Sequence, residues 1–417
     1  MLRASALYLV IVIALVMGVL CSAVIAAGYY YRSYAQRYER AELLRLNLQS
    51  GINLLLAAPA AEQPEQAVSL FGGPSDSLLV QKVTWGLFDL GTVRAFIQQD
   101  TLSRALLIAA VIDSAKWAAL QVIDEDRSLS VSGHTHIRGN VWIPKAGIRE
   151  AYVNNQAYTG NKQLVDGHQY TSNKELPALL AGRLQKLAQM SIPGQASDSA
   201  LLRRDGTVVS FLKGSKCFRF EKKPATLAHI VLRGRIVLYS DTSLTIDSTA
   251  TLDNIVIFAR SIRLNSGFKG RCQLFARDSV YIGPRCTLAY PSAVGVLGRT
   301  DKDEQPKKLA LENASTVQGM VFIWEKQPAK LPPLLSLGKH AVVYGQVYVQ
   351  GLVNFQDDAA VFGSVAAHRF LYQTAYTRYE NYLINLDIDA ARLSRYYLTS
   401  DLAPAAGHAK KVLAWLP

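Results

Sequence analysis

His134 and His136 form an H-x-H pair. On a strand alternate residues share a face, so both imidazoles would point the same way, as a metal pair requires. No third ligand stands beside them in sequence, so two ordinary strand residues is the competing reading. His168, His229, His340 and His368 are isolated. Asp124, Glu125 and Asp126 do not match a calcium-loop spacing and read as a solvated turn. Asp301, Asp303 and Glu304 share a polar loop, 300–309, with Lys302, Lys307 and Lys308. The sequence holds no nucleotide-binding glycine loop, no G-x-S-x-G and no H-E-x-x-H. We therefore expect no catalytic residue and no cofactor, and read the chain as a non-enzyme. Carboxylates from distant segments could still meet in a glycan-hydrolysing pair.

Four cysteines make no disulfide framework, and no C-x-x-C is present. Cys21 lies in an apolar run. Cys272 and Cys286 would bridge only if they sat on neighbouring turns of the chain; buried free thiols are the alternative. The formal charge is +13, but the basic residues are spread along all 417 positions. A basic surface facing anionic lipid or polysaccharide is favoured over nucleic-acid binding, which needs a concentrated patch.

These groups must be positioned by three kinds of element. The first is a helix. No charge occurs from Ala4 to Gly28, and residues 7–27 supply about 20 mostly apolar positions, enough to cross a bilayer. Tyr29, Tyr30 and Tyr31 follow like an interfacial belt. Ala41, Leu44, Leu48, Ile52 and Leu55 then recur on one helical face, up to the stop expected at Pro59. Residues 1–58 thus form an anchor and a spine. A cleaved signal peptide is the rival, although its apolar core is usually shorter. Arg3 argues for an inside amino terminus, whereas Arg32, Arg37, Arg40 and Arg45 argue the reverse. The strand-rich remainder places the body outside, on the periplasmic or extracellular side of a bacterial inner membrane.

This outline resembles bacterial pilin-like and pseudopilin-like proteins, in which a long N-terminal helix precedes a strand-rich head. The resemblance implies a minor component of a secretion, adhesion or DNA-uptake machine. The chain departs from that family in lacking the basic leader ending in glycine and the early glutamate; its first acidic residue is Glu39.

The second kind of element is a meander. After a Gly- and Pro-rich linker, 59–77, short strands are expected at 78–87, 92–97, 106–111, 118–123 and 128–131, making a unit over 78–130. The third is a repeat. Ile137-Arg-Gly139-Asn-Val141-Trp142-Ile143 has the same pattern of types as Val317-Gln-Gly319-Met-Val321-Phe322-Ile323 and Val343-Tyr-Gly345-Gln-Val347-Tyr348-Val349, with a shorter copy at Val361-Phe-Gly363-Ser-Val365. A second similarity links Leu238-Tyr239, Ile257-Phe258 and Leu274-Phe275, at steps of about 18 residues. Glycine-cornered repeats of that length predict a β-solenoid over 131–371, with Gly139, Gly319, Gly345 and Gly363 at corners. An ordinary β-sandwich is the alternative.

The repeat resembles polymer-forming bactofilin-like β-helices. A helical insertion is expected over 173–190, a C-terminal capping helix over 372–402 from Tyr379, Leu383, Leu386, Ala390 and Leu393, and a loose tail over 403–417. The fold class is mainly β. The favoured function is a membrane-anchored structural or assembly protein with protein partners or self-association. Pilin-like and glycan-binding or glycan-processing roles are the alternatives.

Overall fold

The computed structural model describes residues 2–58, 62–70, 72, 77–192, 197–198, 206–220, 223–298, 305–327, 330–374 and 377–417. Pro59 and the acids at 301, 303 and 304 lie outside the described residues. The chain divides into two compact units: residues 1–82 with 91–104, and residues 83–90 with 105–417.

The first unit is built on α1 (Leu2–Ala57), 56 residues long and therefore about 84 Å at 1.5 Å per residue. It is long and apolar enough to cross a membrane. Leu7, Tyr8, Leu9 and Val10 are all more than half exposed, although consecutive residues point to different sides of the helix. Such all-round apolar exposure suits lipid rather than water. Past Tyr38 the helix changes character. Leu44, Leu48, Ile52 and Leu55 are buried on one face, as their spacing predicts. Gly51 lets that face approach closely. A Cβ there would lie 2.6 Å from Val93 Cγ1 and 3.3 Å from Leu78 Cδ1. Lys82 Nζ donates to the Ala58 carbonyl at 3.3 Å, satisfying one of the acceptors a helix end leaves open. Arg40 pairs with Asp100 at 3.0 Å.

Of the meander expected over 78–130, the first part is present as Ser77–Trp85, Phe88–Ile97 and Asp100–Ile112, whereas Leu120–Val122 and Leu129–Ser132 pair in parallel with other strands. The segment expected as a linker holds another strand, Gln63–Ser69, antiparallel to Ser77–Trp85. Its mostly exposed, polar residues suit a sheet edge.

In the second unit one parallel, closed sheet dominates. Its strands pair in register across long sequence steps. Leu238, Ile257, Leu274, Val294, Val321, Val347, Val365, Leu120 and Val141 are partners in succession. All nine point inward and are essentially without solvent exposure. The two similarities seen in the sequence are therefore one structural position. The order in space is not the order in the chain. Leu120–Val122 and His136–Arg138 do not pair with the strand next in sequence. Each pairs with a strand about 250 residues later, Ala360–Gln373 and Asp387–Asp389 respectively, and Leu120–Val122 pairs with Val141–Ile143 on its other side.

Two expectations fail. No C-terminal helix occupies 372–402. That stretch holds Arg378–Glu380, Tyr382–Ile384 and Asp387–Asp389 as strands and a single 3-10 turn, Ala390–Arg392. Asn381 and Asn385 adopt φ of +60° and +51°, which no α-helix accommodates. The apolar spacing that mimics a helix comes from Leu383, Leu386 and Ile388 filling the inner core. The tail 403–417 is also not loose. Ala406–Leu416 is a strand antiparallel to Asp100–Ile112, with Val412 opposite Ile108 and Leu416 opposite Ala105. In the insertion only α2 (Ala181–Met190) is helical. Pro177 sits four residues upstream and disfavours helix at Leu176.

Candidate functional site: an aromatic column and its cleft

The H-x-H pair does not converge. His136 Nδ1 lies 3.0 Å from Asp387 Oδ1, while His134 Nδ1 lies 3.0 Å from Thr159 Oγ1. No group of three metal-ligating side chains occurs among the described residues. Burial holds the His368 imidazole below its usual pKa. Cys272 and Cys286 are both free thiols. Burial pushes Cys272 up to about 12, so it stays protonated and unreactive.

Three of the four repeat glycines come together. Ser292, Gly319, Gly345 and Gly363 are register partners, and the last three have φ between +141° and +151°. A Cβ on Gly345 would lie 1.9 Å from the Gly319 carbonyl oxygen. Gly139 (φ +121°) lies outside that row, and a Cβ there would meet the Ala119 and Ala390 methyl groups at 2.9 and 3.0 Å. The repeated arginines are spent on neighbours. Arg260 pairs with Asp278 at 3.1 Å and Arg271 with Asp253 at 3.2 Å. At their exposure each pair contributes about 0–1 kcal/mol.

One residue outward from the inner core runs a second column. Tyr239, Phe258, Phe275, Gly295, Phe322, Tyr348, Ala366, Gln121, Trp142 and Tyr170 follow one another across the strands. The rings stack: Tyr239 on Phe258 at 5.8 Å, Phe258 on Phe275 at 5.3 Å, and Trp142 on Tyr170 at 4.7 Å. Such pairs contribute about 0.5–1.5 kcal/mol each beyond area burial. Gly295 makes room for its neighbour, since a Cβ there would meet the Phe322 ring at 2.4 Å. Every ring except Tyr170, which follows Gln169, comes directly after an inward β-branched or leucine residue, so the signal was present in the sequence.

From Tyr239 to Tyr348 the column is buried beneath a second layer. Residues 85–89 are fastened there by several bonds. Gln273 accepts from Leu87 N at 2.7 Å and donates to Trp85 O at 3.0 Å. Ser400 Oγ donates to Leu87 O at 2.6 Å. Arg183, on α2, donates to Asp89 and Asp401 and to the Phe88 carbonyl. Two ring hydroxyls are tied as well, Tyr239 to Met190 O at 2.9 Å and Tyr348 to Pro177 O at 3.1 Å. Burial pushes Tyr348 up to about 12, so this hydroxyl stays a donor.

The ring sequence is interrupted at Ala366 and Gln121. There a cleft of about 230 Å³ opens, with Tyr348 and Trp142 among its lining. Beyond it Tyr170 is exposed. No family model matches the chain, nor does any curated protein or solved structure.

Proposed function

We propose that this chain is a membrane-anchored extracytoplasmic scaffold. In this reading residues 7–27 sit in lipid, and the parallel sheet is a β-solenoid that offers an extended interaction surface to proteins or to further copies. One observation carries it: a single continuous helix has an all-round apolar, exposed first half and a second half buried on one face only. A helix with that division belongs to two solvents. The parallel pairing at steps of 17 to 29 residues supports the solenoid part. A stack of this kind gains stability from neighbour on neighbour and leaves its flanks for partners. The scaffold reading assigns the chain no reaction.

The test is labelling of an engineered Tyr152→Cys, at a highly exposed body position, in a Cys217→Ser background. An impermeant maleimide applied to intact spheroplasts is expected to modify it. Protection until the cells are lysed would place the body in the cytoplasm and end this reading.

A second reading, a minor pilin-like component, is favoured by the packing of α1's second half against the meander strands through Gly51, Leu78 and Val93. N-terminal sequencing of the mature protein separates the two. A start a few residues into the chain supports processing of the pilin kind, and an intact start supports the plain anchor.

A further inference from the structure

We infer that the interruption in the outer aromatic column is a binding site for a neutral sugar residue of a glycan chain. Counting along the strands, Tyr348 and Trp142 are separated by Ala366 and Gln121. Three strand spacings of about 4.8 Å put their backbones roughly 14 Å apart. Apart from Gly295, whose space the Phe322 ring takes, rings fill the rest of this column; here a methyl group and an amide leave a cleft of about 230 Å³. That suits one ring-sized ligand held beside an aromatic wall.

The polar lining points to the ligand's chemistry. Gln121 and Ser364 make no side-chain hydrogen bond among the described residues. Gln346 is 6 % exposed. Its Oε1 accepts from Thr399 Oγ1, and its amide nitrogen has no partner among the described residues. Amides and hydroxyls both donate and accept, as sugar hydroxyls do. As part of the cleft lining, the Gln346 amide can donate to a ligand hydroxyl. The apolar C–H face of a pyranose lies flat on an indole, while its rim of hydroxyls reaches such groups.

Charge decides against anionic ligands. Lys116 is the one charged residue lining the cleft, and it is paired with Asp113 at 3.5 Å. A nucleotide's phosphate would find no free cation there. The platform also continues past the cleft, because Trp142 stacks on Tyr170, so a chain of sugars rather than a lone one is the fitting ligand. This inference goes beyond the scaffold reading and does not depend on which side of the membrane the body occupies.

Isothermal calorimetry on the full chain, held in the sugar-free detergent lauryldimethylamine oxide, provides the test. Cellotetraose and the tetramer of N-acetylglucosamine are the probes, with guanosine monophosphate as the comparison. Saturable binding of at least one oligosaccharide is expected. Ala366→Phe restores the missing ring and should abolish it; Gln121→Ala, at a half-buried position that keeps the wall intact, should weaken it at least tenfold. Silence with both oligosaccharides, undiminished binding by both variants, or binding of guanosine monophosphate alone would overturn the assignment.

Discussion

Arg183 Nη2 lies 2.7 Å from Asp89 Oδ1, and both side chains are at most 3 % exposed. The same nitrogen reaches Asp401 Oδ2 at 3.1 Å, and Lys410 completes the group. One guanidinium on α2 thereby holds a hairpin carboxylate and a C-terminal one. Arg183→Met takes a buried cation from both carboxylates, while Lys410 stays on Asp401. Removing one partner of a buried pair costs roughly 3–5 kcal/mol. Denaturant unfolding should show a loss of that size, whereas an exposed pair such as Arg219 with Asp241 should change the midpoint little when broken.

The same cluster predicts an acid limb. Burial alone would raise the Asp401 pKa, but Lys410 and Arg183 overcome it and leave the carboxyl below 3.8. A depressed folded-state pKa contributes stability above the unfolded value and loses it as pH falls through the folded one. Thermal midpoints should therefore fall below about pH 4, and Asp401→Asn should flatten that fall while lowering stability at neutral pH.

Gly345→Ala tests the corner column. The new methyl group would collide with the Gly319 carbonyl oxygen at 1.9 Å in a backbone of φ +141°. Strain of that kind costs about 1–3 kcal/mol, and the displaced strand adds to it. Gly267→Ala has open space around it but shares a positive φ of +81°, so it should show the backbone cost alone. Melting curves of the two variants should rank in that order.

In the first unit, Gly51→Leu should loosen α1 from the strands carrying Leu78 and Val93, because its Cβ would already overlap Val93. Gly28→Ala, with nothing within 4 Å, should be neutral. Limited proteolysis after the helix reads the difference: rapid cleavage in the first variant and an unchanged pattern in the second.

Much of the architecture was legible because stacking strands repeat their demands. Gly319, Gly345 and Gly363 face the same carbonyl crowding, so they share a sequence context. Leu44 to Leu55 was legible because one face of a helix meets one sheet. The C-terminal region was not. Leu383 and Leu386 keep a helical interval only by coincidence, and the sign against a helix, asparagine at 381 and 385, is a local turn preference weaker than apolar periodicity. The strand Ala406–Leu416 pairs with residues some 300 positions earlier, and no local pattern announces such a partner. The cleft was invisible for a related reason. Gln121 and Ala366 adjoin Trp142 and Tyr348 only after the early strands join the late ones.

An anchored scaffold requires one helix lying half in lipid. Its most direct measurement is alkaline carbonate extraction of membranes followed by intact mass determination of the pelleted protein. We predict that the chain stays in the pellet with residues 7–27 attached. A soluble protein beginning after about residue 27 would show that the apolar segment is removed, and the anchored scaffold would be contradicted.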